Sequence, residues 1–381
     1  MSEQQFDFDT VVDRNNTGSE KWDKYADRDI IPLWVADMDF RSPPAVLAAL
    51  HERIEHGVLG YSHTPQGLVD AVLEHLERDF AWQIQPEWLV WLPGLVCGLN
   101  VLCKAVGDEG DEVITFTPVY PPFMSAPTLT GRTTVKVPLQ LITGRWVADM
   151  ALLKQAVTPR TKMLLLCTPH NPVGRAWTRD ELQQFADFAE RHDLVIGSDD
   201  IHAGLILDEG VNHIPIATLS PETDRRTITL FAPSKTYNIP GLGCSFAVIS
   251  DPELRKCFIK AAGRIVPHVN TLGYVAAEAA YRHGEAWRRQ LIAYLCGNRD
   301  LVHAEINTIP GLSMTHVEAT YLAWIDTRAA GIEKPGPFFE QAGVGLSDGT
   351  DFGAPGFVRL NFGCSRSLLV EALQRMRNAL L

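Results

Sequence analysis

The stretch FAPSKTYNIPGLG, residues 231–243, closes a short apolar run, ITLF, with the chain breakers Pro233, Pro240, Gly241 and Gly243. An apolar run that stops at breakers reads as a buried strand emptying into a loop. Lys235 stands just past that strand, at a rim where a cofactor can reach it. A solvated loop lysine is the plain alternative, and the neighbourhood of the stretch decides between them.

Working outward, the same unit recurs. EVITFT, TTVKV, KMLLLC, LVIGS, RTITLF and SFAVIS are apolar runs without polar alternation. Between several of them lie helical patterns such as DMALLKQAV and TRDELQQFADFAERHD, the latter opened by a Thr178–Glu181 capping box. Such strands, separated by amphipathic helices, indicate an α/β fold: a mostly parallel sheet covered by helices on both faces. Upstream, SPPAVLAALHERIEHG reads as a helix capped by Ser42 and ended at Gly57, GYSHTPQG (60–67) as a loop, and LVDAVLEHLERDF as a helix. WLVWLPGLVCGLN is a short strand, a Pro-Gly turn and a helix start. Residues 271–306 read as long helices, followed by shorter α/β elements and a final helix, SLLVEALQRMRNAL. The expected organisation is an N-terminal arm joining a small domain (1–44), a large domain (45–275) and a small C-terminal α+β domain (276–381).

Composition excludes several classes. With 381 residues, 46% of them hydrophobic, the chain can bury one large core and a smaller one. The formal charge of −12 is spread along the chain, and no basic run suits nucleic acid or an anionic membrane. No apolar run approaches the roughly 18 residues of a membrane span. The polar start MSEQQFDFDT is no signal peptide, and seven scattered cysteines without C-x-x-C spacing suit a reducing, cytoplasmic setting without a metal site.

In an open parallel sheet, ligands bind beyond the carboxyl ends of the strands. Tyr120, Asn171, Asp199 and Lys235 each follow such a strand. Singly, Asp199 reads as a helix cap, Asn171 as a turn before Pro172 and Tyr120 as a packed aromatic. Together they fit pyridoxal 5′-phosphate. A lysine amine condenses with its aldehyde. A carboxylate such as Asp199 keeps the pyridine nitrogen protonated, and an aromatic face such as Tyr120 stacks on the ring. Asn171 and His202 suit the phenolic oxygen, with a structural loop histidine as the alternative for His202. The turn at Gly94 exposes backbone N–H groups of Gly94, Leu95 and Val96 to a phosphate at a helix N-terminus.

The sequence resembles the fold-type I, class I/II aminotransferase superfamily through PVYPPF, HNPVG, SDDIH, SKTYN and RLNFG. Within it, the chain resembles the C–S β-lyase branch (MalY/PatB-type cystathionine β-lyases) through KWD (21–23), LWVADMDF (33–40), GYSHTP (60–65), PHNPVGRAW (169–177) and SKTYNIPGL. The resemblance runs nearly the full length. It implies a fold-type I pyridoxal-phosphate enzyme with Lys235 as the Schiff-base lysine and catalytic base, Asp199 as the pyridinium partner, Tyr120 as the stacking ring and Asn171 as the phenolate donor. It makes Arg359 the clamp on the substrate α-carboxylate, and it places Tyr61 at a neighbouring subunit's cofactor phosphate, hence a homodimer with shared active sites.

Departures are Asp200 where the branch has Glu, Tyr237 where Phe is usual, and Ala232 and Gly243 where many aminotransferases carry a serine and an arginine against the phosphate. The phosphate is then left to backbone, Ser234 and Tyr61. The implied activity is β-elimination of L-cystathionine or a related cysteine S-conjugate to a thiol, pyruvate and ammonia. An aminotransferase using the same residues is the first alternative, and a protein of this fold that serves as a regulator by binding a partner is the second.

Overall fold

The computed structural model describes residues 5–381; the first four residues of the polar arm lie outside it. Its central sheet has seven strands: β1 (Leu89–Leu92), β2 (Glu112–Thr117), β3 (Thr133–Pro138), β4 (Thr161–Cys167), β5 (Val195–Asp199), β6 (Thr227–Phe231) and β7 (Ser245–Val248). They lie in the order β1-β7-β6-β5-β4-β2-β3. The pairs β3–β2, β2–β4, β4–β5 and β5–β6 are parallel, while β7 runs antiparallel to both neighbours.

Both faces of this sheet are covered, which is why its strands lack polar alternation. Val113, Met163, Leu165, Ile228 and Leu230 pack one face against the helix Leu95–Ala105 and Phe258. Ile114, Phe116, Leu164, Leu166 and Ile196 pack the other against Leu182, Phe185 and Phe188 of the helix Arg179–Arg191. That helix carries the capping box between Thr178 and Glu181.

A second, antiparallel sheet is built from β8 (Ser313–Met314), β9 (Leu322–Asp326), β10 (Ser347–Asp348) and β11 (Phe357–Asn361), in the order β8-β9-β11-β10. The helices Thr271–His283 and Glu285–Ile306 lead to it, and the helix Arg366–Asn378 follows it. Ile31–Pro32 pairs in parallel with Val344–Gly345, so the N-terminal arm is stitched to the C-terminal elements.

Two local expectations change. Ser42 does not cap the helix Pro44–Glu55, whose N-cap is Pro43. The Ser42 hydroxyl donates instead to the Asn238 carbonyl (2.9 Å), and the first turn closes through the Pro43 carbonyl, which accepts from Val46. Pro44 at the first helical position brings no N–H, so the turn needs less from a capping side chain. The loop read at 60–67 ends at Pro65, because the next helix starts at Gln66.

KWD and LWVADMDF, far from any catalytic strand end in sequence, meet each other. The Asp39 carboxylate accepts from Lys21 Nζ (2.7 Å), Arg14 Nη1 (2.6 Å) and Trp22 Nε1 (2.9 Å). Lys21 is fully buried there. A buried ammonium without its carboxylate is uncompensated. Asp39→Ala is therefore expected to lower unfolding stability by about 3–5 kcal/mol in urea titration, whereas Glu253→Ala, in a loose surface pair, should cost under about 1 kcal/mol.

Candidate active site

The strand ends converge. In-register pairing sets Cys167 beside Asp199 and Asp199 beside Leu230, so Asp199 at the end of β5 stands between the loops that carry Asn171 and Lys235 out of the neighbouring strands. A cavity of about 500 Å³ opens over them. It is lined by Lys235, Asp199, Asn171, Tyr120, His202, Ser234, Gly94, Leu95, Val96 and Arg359, all named from sequence. Tyr61 is not in this cavity; its side chain is entirely solvent-facing, with a relative exposure of 109%.

Each loop is held by its own motif. In PHNPVGRAW, His170 Nε2 meets the Pro118 carbonyl (2.8 Å), Trp177 Nε1 donates to the Cys167 carbonyl (3.1 Å), and buried Arg175 pairs with Glu181 (2.7 Å) and Glu318 (3.1 Å). The Tyr120 amide donates to the Asn171 carbonyl (3.1 Å), tying two strand-end loops together. In GYSHTP, Ser62 and Thr64 bond the hydroxyls of Thr271 (2.7 Å) and Tyr274 (3.2 Å).

The roof is the strap 33–40. Lys235 Nζ donates to the Ala36 carbonyl (2.6 Å), which also accepts from Tyr321 Oη (2.8 Å). Arg359 donates from Nη2 to the Trp34 carbonyl (2.8 Å) and from Nη1 to Asn171 Oδ1 (3.1 Å). Asn361 Nδ2 donates to the carbonyls of Val35 (2.6 Å) and Asp37 (2.7 Å). Asn238 of the lysine loop accepts from the Met38 amide (2.9 Å) and donates to the Phe40 carbonyl (2.7 Å).

Burial dominates the electrostatics. It pushes Asp199 up to about 7, against the Ile201 amide that favours its charged form. It lowers Lys235 to about 8, His202 to about 3 and Arg359 to about 10. Tyr120 is raised for the same reason. Charged forms here lack water and are short of partners. Among buried polar atoms, His202 Nδ1 and Arg359 Nε have no hydrogen-bond partner. One unpartnered guanidinium donor, one unpartnered imidazole nitrogen, an acid and an amine within one cavity fit a polar, anionic ligand such as pyridoxal phosphate.

The departures have local causes. Asp200 does not line the cavity; it accepts from Ser198 Oγ (2.5 Å) and meets His213 Nε2 (2.6 Å), all three buried. Gly243 has φ +56°, and a Cβ there would sit 2.7 Å from the Pro93 carbonyl oxygen, so the backbone leaves no room for a side chain at this position. Tyr237 is a core ring packed edge-on against Tyr281. Sequence reasoning missed the Trp34 and Ala36 carbonyls, Tyr321 and Glu20, the last of which also lines the cavity. LWVADMDF was the available signal, but backbone acceptors leave no residue-type signature.

The description "Aminotransferase class I and II" matches residues 28–376. The cystathionine β-lyase PatB of Bacillus subtilis (strain 168) is 36% identical, with 98% of this chain and 99% of PatB covered. The structure of OvoB is similar at TM-score 0.97 and 48% identity, covering 98% of this chain and 99% of OvoB. Cystalysin from Treponema denticola, which contains pyridoxal 5′-phosphate, is similar at TM-score 0.95 and 33% identity, covering 99% of both chains.

A pH test follows from Asp199. Its folded-state value, about 7, lies above the ordinary 3.8, so the native chain binds this proton more tightly than the unfolded chain between those values. That contribution is present at low pH and is lost as pH rises through about 7. With cofactor removed, Asp199→Asn should therefore gain stability over wild type between pH 5 and pH 8, by about 1–3 kcal/mol. Urea unfolding at both pH values reads it; a constant gap contradicts a buried, poorly paired carboxylate.

Proposed function

The chain belongs to the class I and II aminotransferase family, and from that membership and the cavity we propose that it is a pyridoxal-phosphate-dependent C–S β-lyase acting on L-cystathionine or a related cysteine S-conjugate. The cofactor supplies an electron sink for negative charge developing at the substrate Cα. Lys235 is the amine that anchors its aldehyde; the lowered basicity of Lys235 suits it to take the Cα proton once released. With the cofactor bound, Asp199 would hold the proton on the ring nitrogen, Tyr120 would cover the ring, and Asn171 and His202 would serve its phenolic oxygen. The N-terminus of the helix Leu95–Ala105, with Ser234, would receive the phosphate.

Arg359 orients the substrate. Its fork is fixed by Asn171 and the Trp34 carbonyl, and it grips the α-carboxylate. With Cα held this way, the electron pair left by the proton expels the thiolate from Cβ. Thiols have pKa values near 8.5, so the thiolate leaves far more readily than an alkoxide would. The three-carbon remainder is released as 2-aminoacrylate, which water converts to pyruvate and ammonia.

One observation favours elimination over dicarboxylate transamination: Lys235 and Arg359 are the only lysine or arginine that this protomer brings to the cavity among the described residues. Arg14 is engaged by Asp37 and Asp39, Arg366 by Asn298, and Arg41 and Arg264 are exposed. None of these cations of the same protomer lines the cavity, where a second substrate carboxylate would need one. Cystathionine alone, without a 2-oxo acid, is expected to give many turnovers of pyruvate, ammonia and homocysteine in equal amounts, with serine a much poorer substrate. Pyruvate formed once per active site, or only with an added 2-oxo acid, makes the chain a transaminase instead.

The proposal extends to assembly and place. The arm (1–44) and C-terminal residues (276–381) form the small domain, and 45–275 the large one; the strand pairing of Ile31–Pro32 with Val344–Gly345 supports this. No helix among the described residues is long and apolar enough to cross a membrane, and we assign the enzyme to the cytoplasm. Full exposure of Tyr61, beside exposed Val58 and Leu59, supports a homodimer in which Tyr61 serves the partner's phosphate. Mixing Tyr61→Ala and Lys235→Ala subunits should restore up to about a quarter of wild-type activity, since random pairing leaves one intact site in half of the dimers. A fully active monomer in sedimentation removes this arrangement.

A further inference from the structure

We propose that Glu20 is a specificity-determining residue of this cavity, selecting cysteine S-conjugates that carry a cation beyond the sulfur over those that carry an anion; the inference rests on the lyase reading. Glu20 opens the short helix Glu20–Asp23 on the N-terminal arm. It lines the same cavity as Lys235 and Arg359, yet is itself exposed, so it stands at the mouth. Its side chain makes no hydrogen bond or ion pair among the described residues, and its charge reaches Tyr120.

The other charges of the cavity are committed. Asp37 is paired through Oδ2 with Arg14 at 2.7 Å, while its Oδ1 is buried without a hydrogen bond, 3.8 Å from Lys21 Nζ. Asp199 serves the ring nitrogen, Lys235 the aldehyde and the Cα proton, and Arg359 the substrate α-carboxylate. Once these roles are filled, Glu20 is the exposed charge that this protomer leaves over in the cavity, and it is negative. Arg359 is buried at the floor and Glu20 is exposed at the mouth. A side chain that starts from a carboxylate held on Arg359 and leads outward past Cβ and sulfur therefore ends near Glu20. A terminal ammonium, guanidinium or imidazolium gains an attraction there, while a lone carboxylate meets repulsion without a compensating cation. The chain's net charge of −12 acts in the same direction at longer range.

The test uses holoenzyme and a binding readout. Cofactor absorbance is titrated with S-(2-aminoethyl)-L-cysteine and with S-carboxymethyl-L-cysteine, for wild type, Glu20→Gln and Glu20→Asp. Wild type should bind the aminoethyl compound at least about tenfold more tightly than the carboxymethyl compound, in the range of a partly exposed charge pair counted for both attraction and repulsion. Glu20→Gln should shrink that ratio to about twofold, and Glu20→Asp should retain most of it. A ratio unchanged by Glu20→Gln overturns the assignment. Pyruvate release from the same compounds is read separately: its absence with every conjugate defeats the lyase reading, while the titration ratio still decides the role of Glu20.

Discussion

One backbone carbonyl couples the parts of this protein. The oxygen of Ala36 accepts from Lys235 Nζ (2.6 Å), at the end of the central sheet, and from Tyr321 Oη (2.8 Å), beside the second sheet. The strap that carries it is further pinned by Arg359 and Asn361 from β11 and by Asn238 from the lysine loop. Arm, central sheet and second sheet therefore share one short segment, and that segment roofs the cavity. Its grip is made of donors reaching backbone acceptors, which are strong where water is scarce.

The strap is in turn fixed by Asp39, which gathers Lys21, Arg14 and Trp22. The stretches KWD and LWVADMDF thus hold the arm in place, and the arm brings Glu20 to the mouth. The floor carries Lys235, Asp199, Asn171 and Arg359. The frame above it adds the acid Glu20 and, from this protomer, no further cation, and on the proposal above that charge selects among side chains at the mouth.

Inside the cavity, folding works against charge. Asp199 is raised to about 7, Lys235 is lowered to about 8 and His202 to about 3, all chiefly by burial. Water is replaced by a fixed set of side chains with spare hydrogen-bonding capacity, such as His202 Nδ1 and Arg359 Nε. These groups are destabilising in isolation and become useful when a ligand of matching charge binds. The buried triad Ser198–Asp200–His213 lies behind Asp199 and turns the second acid of SDDIH away from the ligand.

Much of this was legible in the residues. Apolar strands ending in breakers set the parallel sheet, because a strand buried on both faces needs no polar alternation. Chemistry-bearing residues at those ends, Tyr120, Asn171, Asp199 and Lys235, were readable since side-chain type and strand position together name the site. Ser42 was misread because a capping signature is local, whereas Asn238, nearly two hundred positions away, takes its hydroxyl. Arg359 was assigned only by likeness; sequence position alone reads it as a surface residue, and the folded chain buries it against Asn171 and Trp34. The carbonyl of Ala36, the hydroxyl of Tyr321 and the unpaired carboxylate of Glu20 became visible only in three dimensions. Periodicity and residue type determine strands, helices and candidate chemistry, because these depend on neighbours along the chain. Tertiary structure alone decided which distant backbone atoms meet those side chains and which charge stays unpaired, because that depends on closing loops hundreds of residues long.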